Sequence, residues 1–352
     1  MMSRGSATLK EILSQPEIWR ITLEKFYPHV MSLKGFFDQN KFDAVVFTGC
    51  GSTYYLSLAA ASLLQEVTHS PVQAKPASEL LFFPHLSYLK GANILVVAVS
   101  RSGETSETIS AIKKIKNSHL GKVLVITCNS ASSLAHLADY LLYIDEAQEE
   151  SVAQTRSFSS MMLLAQAFAG VVGDKDLSLL NTLPDRCHSL LSTYAPFAKD
   201  VGQDLSTNQF FFLGNGYLYG IACEAMLKMK EMTISHSEAY HFLEFRHGPM
   251  SMVDEKSIVI GLISEQAMRQ ELEVLSDMRK LGAKTIGLGF NLDGKIDFLH
   301  AKINLGETLS DWIEPILYLP ILQLMGYFRS MEKGFNPDRP NNLEAVVKLS
   351  TL

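Results

Sequence analysis

Short apolar runs that stop abruptly in glycine or hydroxyl residues, each followed by a helix-patterned stretch, leave this chain few folds to choose from. In the first half they are residues 43–51 (DAVVFTGCG), 93–100 (NILVVAVS), 122–128 (KVLVITC) and 139–145 (DYLLYID). After a helical stretch around Met161 to Val172 the pattern restarts with residues 208–216 (NQFFFLGNG), 257–264 (SIVIGLIS) and 283–290 (AKTIGLGF). Near-continuous apolar strands alternating with helices predict an α/β fold with parallel sheets covered on both faces. The restart is also metric. Gly49 corresponds to Gly214 at an offset of 165 and Ser100 to Ser264 at 164, which argues for an internal duplication. The expected division is a helical segment over 1–40, a first domain over 41–190, and a second over 191–352 that carries the C-terminal tail.

The bulk numbers exclude several classes. With 352 residues, 47% of them hydrophobic and 19% charged, the chain can bury a sizeable core. A net charge of −6 offers no basic face to nucleic acid or anionic lipid. No apolar run reaches the roughly 18 residues of a membrane span, and the N-terminal residues do not read as a signal peptide. Cys50, Cys128, Cys187 and Cys223 are scattered without CxxC spacing, so neither a disulfide framework nor a zinc site is expected. The expected class is a cytoplasmic α/β protein without nucleic-acid or membrane partners.

Two loops rich in hydroxyls follow the first two strands, GCGSTYY (residues 49–55) and SRSGETSET (residues 100–108). In open parallel sheets, ligands bind outside the carboxyl ends of the strands. Ser and Thr hydroxyls donate to phosphate oxygens, glycine lets the backbone approach, and the next helix offers unbonded N–H groups. The bland alternative is that Ser102 or Thr105 only caps a helix; two such loops on adjacent strands favour phosphate. GCGSTYY lacks the third glycine of GxGxxG, and no GxxxxGK[ST] occurs, so nucleotide readings fail.

The second half carries groups suited to proton transfer. Glu224, Lys228 and Glu231 fall at i, i+4 and i+7, one stripe of a helix, where the plain reading is a solvated ion pair. His247 lies sixteen residues beyond Glu231 in EFRHGPM, and Gly248 and Pro249 mark a turn that keeps its imidazole out of the core. His236, His241, Glu244 and His247 do not form HExxH, so no metal is expected. A carboxylate can carry a proton between adjacent carbons while an imidazole opens a sugar ring. Lys348, in LEAVVKLSTL, is an ordinary exposed tail lysine unless burial makes it a nucleophilic amine.

Taken together, GCGST, SRSGET, VAQTRSF, LKMKE, HSEAYHFLEFRHGP and NPDRPNNLEAVVK resemble the SIS (sugar isomerase) family. The likeness runs from about Phe42 to Lys348 and is to the isomerase half of glucosamine-6-phosphate synthase and its single-function relatives. It implies two tandem flavodoxin-like domains and a homodimer with active sites at the subunit interface. It implies that Thr53, Ser100, Ser102 and Thr105, within loops that include Gly51, Ser52, Arg101 and Gly103, cradle a sugar 6-phosphate, with Val152 and Gln154 by the sugar. It further implies Glu231 as proton carrier, His247 as ring opener reaching across the dimer, Glu224 and Lys228 as neighbours near the substrate, and Lys348 as a Schiff-base lysine. Arg101 replaces a Gln of the family loop, adding a positive charge near the ligand, and Gln154 stands where the synthase has Ser. No glutaminase domain is read here, so glutamine-dependent amide transfer is not expected of this chain alone.

The resulting expectation is a cofactor-free isomerase or deaminase of an amino sugar 6-phosphate, working by ring opening and C1–C2 proton transfer. A fructosamine 6-phosphate deglycase and a plain aldose–ketose isomerase share that chemistry, with Gln154 and Tyr240 placed to choose the leaving group. A non-catalytic sugar-phosphate sensor is the alternative from another class. Such sensors usually carry a DNA-binding segment, for which residues 1–40 are too few and too little basic.

Overall fold

The computed structural model describes residues 3–87, 91–294 and 296–349. Helices α1 (Ser6–Leu13), α2 (Gln15–Phe26) and α3 (Val30–Asn40) lead into β1 (Ala44–Gly49) and α4 (Ser52–Thr68). Then come β2 (Val72–Pro76), α5 (Ala77–Phe82), β3 (Ile94–Ser100), α6 (Ser106–Asn117), β4 (Gly121–Thr127), β5 (Tyr140–Tyr143) and α7 (Arg156–Val172). Helix α8 (Leu183–Gln203) opens the second half, followed by β6 (Gln209–Leu213), α9 (Tyr217–Thr233), β7 (His236–Tyr240) and α10 (Phe242–Phe245). The chain continues through β8 (Ser257–Ile263), α11 (Met268–Lys280), β9 (Lys284–Gly289), β10 (Ala301–Asn304) and α12 (Leu319–Glu332).

These strands form two five-stranded sheets, β2-β1-β3-β4-β5 and β7-β6-β8-β9-β10, with every pairing parallel. The second order repeats the first, and it is the flavodoxin-like order 2-1-3-4-5. The α/β architecture expected from the apolar runs is therefore the one observed. Strand β3 shows why: all seven of its residues are buried, and Val96 pairs with Val46 on one side and Val123 on the other. Each such aliphatic side chain stabilises the fold by roughly 1.5–3 kcal/mol when fully buried, so the central strands tolerate no polar alternation.

Strands β2, β7 and β10 lie outside the seven apolar runs, and all three are sheet edges. An edge strand is covered on one side only, so VQAKP, HSEAY and AKIN carry polar residues and read as loop. The offset between halves has a steric origin. A Cβ on Gly49 would lie 2.5 Å from Thr53 Oγ1, and one on Gly214 would lie 2.5 Å from the Leu218 carbonyl oxygen. In each sheet the first strand ends against the first turn of its helix, where only glycine fits. Helices α4 and α9 are both 17 residues long and start behind glycines in the left-handed region, Gly51 at φ 57° and Gly216 at φ 53°.

The chain packs as two compact units that do not follow the sequence ranges. The first comprises Ser14–Glu150, Gln154–Pro184 and the tail from Glu344 onward. The second comprises the segment before Ser14, Ser151–Ala153 and Asp185–Leu343. Helix α1 belongs to the second because the Asp338 carboxylate accepts from the Thr8 amide and hydroxyl at 2.8 and 2.7 Å. The tail, which the sequence division counts with the second domain, packs with the first.

Candidate active site

In the first unit the loops after β1 and β3 are built on their own hydroxyls. Thr53, 4% exposed, turns its hydroxyl onto Cys50, accepting from the amide and donating to the carbonyl, both at 3.0 Å. It thus closes the turn that places Gly51 and Ser52 at the start of α4. Ser100 Oγ accepts from the Gly103 amide and Ser102 Oγ from the Glu104 amide, each at 3.1 Å. A hydroxyl that accepts an N–H still has its own proton to donate, and neither proton has an acceptor among the described residues. Gly103 sits at φ 65°, and a Cβ there would overlap the Ser132 hydroxyl, so conformation and space both demand glycine. Thr105 is the N-cap residue of α6, but its side chain makes no capping bond. Thr105 thus stands at the positive end of a 12-residue helix, with Ser100 and Ser102 in the loop that leads into it.

Arg101, in the same loop, is turned inward. Its side chain is 7% exposed and its guanidinium pairs at 3.5 Å with the fully buried Glu149. It also donates to the Ala345 carbonyl at 3.4 Å. Glu149 was not legible as a functional residue, because AQEES reads as a solvated acidic run. Its carboxylate accepts from the Thr155 amide and hydroxyl, both at 2.7 Å, and from the Ser157 hydroxyl. The signal available was the cluster of donors in TRS just downstream. Gln154 begins that same stretch, and its side-chain carbonyl oxygen is buried without a partner.

The tail lies on the same loop. The Ser106 amide donates to the Val347 carbonyl at 3.4 Å, and Ser106 Oγ accepts from the Leu349 amide at 3.1 Å. Lys348 between them is exposed. The Ser133 amide and hydroxyl hold the nearby Glu104 carboxyl below the usual range, and the Lys348 ammonium adds to that effect. Ser52, Thr53, Ser100, Ser102, Gly103, Thr105 and Lys348 therefore all belong to the first unit.

In the second unit, the stripe on α9 is a buried ion triad. Lys228 is 1% exposed; it contacts Glu224, 0% exposed, at 3.3 Å and also pairs with Glu231, which keeps 18% of its side chain open. Burial alone would lower the Lys228 pKa, but attraction by Glu224 and Glu231 outweighs it and the pKa is raised. The lysine stays charged and holds the Glu231 carboxylate with one side accessible. His247 is exposed on the turn after α10, ahead of Gly248 at φ 132°. Tyr240 donates to Glu238 at 2.5 Å, and burial together with that bond pushes its phenol up to about 12. The Val152 amide donates to the Asp338 carbonyl at 3.0 Å, and its neighbour Ser151 is held by the buried Glu11. Among the described residues no group of three or more His, Cys, Asp or Glu could hold a metal ion, and no helix is long and apolar enough to cross a membrane. All four cysteines are free thiols.

A family profile described as SIS domain matches residues 40–170 and 205–296. In sequence the chain is 30% identical, over 361 aligned positions, to glutamine–fructose-6-phosphate aminotransferase [isomerizing] of Clostridium tetani; the match covers 96% of this chain and 58% of that protein. The chain thus spans a little over half the length of the curated relatives it matches. Among solved structures, glucosamine-6-phosphate deaminase from Thermotoga maritima is 28% identical with a TM-score of 0.79, covering 98% of this chain and all of that one. Tagatose-6-phosphate ketose/aldose isomerase from Escherichia coli has a TM-score of 0.86 over 96% of each chain; at 23% identity it speaks for the fold alone. The names these proteins carry are those of enzymes acting on phosphosugars.

Proposed function

The chain belongs to the SIS domain family, and on that premise we propose that it is an enzyme that opens an amino sugar 6-phosphate and moves a proton between C1 and C2. The observation that carries this reading is the α9 triad, where a buried, charged Lys228 holds a Glu231 carboxylate that keeps part of its surface open. Such a carboxylate can take the C2 proton of an open-chain aldose and return it at C1. With nitrogen at C2 the product is a ketimine, to which water adds as ammonia leaves, giving a ketose 6-phosphate. His247 is assigned the ring-opening proton transfer, and its exposed turn suits delivery to a second copy of the chain in a homodimer. Ser100, Ser102 and Thr105 are assigned the phosphate, and Lys348 a Schiff base with the ketose carbonyl.

The test is turnover: purified protein with glucosamine 6-phosphate, galactosamine 6-phosphate or fructoselysine 6-phosphate, with released ammonia or lysine measured. No release from any of them overturns the reading as an amino sugar 6-phosphate enzyme. Glu231→Gln is expected to lose deuterium exchange at C1 and C2 by at least about a hundredfold while binding the phosphate ester as before. Mixing inactive Glu231→Gln with inactive His247→Ala should restore part of the activity if the imidazole crosses between copies; no recovery sinks that assignment.

A further inference from the structure

The loop after β8 repeats the frame of the loop after β3. Ser264 Oγ accepts from the Ala267 amide at 3.2 Å, as Ser100 Oγ accepts from the Gly103 amide at 3.1 Å, and both members sit 164 residues apart. The same offset carries Glu107, in the first turn of α6, onto Glu271, in the first turn of α11. The two carboxylates then part ways. Glu107 makes no side-chain hydrogen bond among the described residues, and its Oε2 is buried without a partner. Glu271 is 0% exposed. Its Oε2 accepts from the Ser264 amide at 2.6 Å, and its Oε1 from the Ser264 hydroxyl at 3.0 Å and the Asn215 carboxamide at 2.7 Å. Asn215 follows β6 as Cys50 follows β1.

One carboxylate therefore gathers an amide, a hydroxyl and a carboxamide from two loops at the carboxyl ends of adjacent parallel strands. That is the place where an open α/β sheet takes its ligand, and these are the donor types that hold an anion there. We infer that Glu271 is a built-in anion: it fills the second sheet's ligand seat from within and confines phosphate-ester binding to the first unit. The substitution of Gly103 by Ala267 fits a loop that no longer receives a ligand. Gly103 reaches φ 65°, open to glycine, whereas Ala267 sits at φ −123°.

The inference extends the proposed function but is tested without turnover, by counting bound ions. Inorganic phosphate is titrated calorimetrically into the intact chain and its variants. Glu271→Ala is expected to bind one more phosphate per chain than the parent. Glu271→Gln, whose carboxamide fills the same volume, should keep the parent count. Sodium formate should displace the additional phosphate from Glu271→Ala and raise its melting temperature more than that of the parent. If Glu271→Ala folds only poorly, recovery of its circular dichroism on adding formate becomes the readout. A folded Glu271→Ala with the parent's count, an additional phosphate on Glu271→Gln, or no response to formate would each overturn the inference. Since the reading is a difference in count, it stands or falls even if no sugar is turned over.

Discussion

Lys228 concentrates the residue-scale energetics. Burying an ammonium and two carboxylates is costly, and the arrangement holds only because each charge has its partner. Lys228→Ala would leave the Glu224 charge uncompensated in the interior and should destabilise the chain by roughly 3–5 kcal/mol in urea titration. A loss below about 1 kcal/mol, the scale of a surface pair, would show that the triad is solvated. The i, i+4, i+7 spacing made the stripe legible in the sequence. Its burial was not, because that depends on α12. Gly326 of α12 comes so near α9 that a Cβ there would lie 2.6 Å from Met232 Cε, and no pattern within LKMKE announces that neighbour.

At the scale of elements, the loop after β3 is tied to the stretch before α7 and to the tail through Arg101 and Glu149. Glu149→Gln keeps the shape but removes the charge that neutralises Arg101. Under the proposed function, KM for the sugar phosphate should rise about tenfold, on the order of 1.4 kcal/mol, with kcat nearly unchanged. A fall in kcat at constant KM would contradict a role in positioning the loop. The sequence showed the loop's hydroxyls because strand, glycine and helix start are local signals. It hid their supports because Glu149 and Ala345 lie 48 and 244 positions from Arg101. The same contrast separates the central strands, legible as apolar runs, from β2, β7 and β10, whose pairing depends on a neighbour rather than on their own composition.

The molecule as a whole carries a pH term at Glu314. This residue is 5% exposed; burial is the main cause that pushes its carboxyl up to about 7, with Asp311 and Glu265 adding to it against the Leu309 and Ser310 amides. Between its ordinary 4.5 and about 7 the folded chain keeps a proton that the unfolded chain has released. This contribution is therefore fully present below 4.5 and lost as the pH rises through about 7. Between pH 5 and pH 8, Tm should fall further for the parent than for Glu314→Gln, by scanning calorimetry in matched buffers; parallel curves would contradict the burial argument.

The hook of Leu349 onto Ser106 also bears on how the protein comes into being. Ser106 leaves the ribosome 243 residues before its partner does, a delay on the order of 10–50 s at ordinary translation speeds. Throughout that interval the nascent loop has its hydroxyls but not its clasp. A chain ending just before Glu344 would still hold both sheets while its hydroxyl loop lacks this clasp, so under the proposed function such truncations should yield well-folded chains with little turnover.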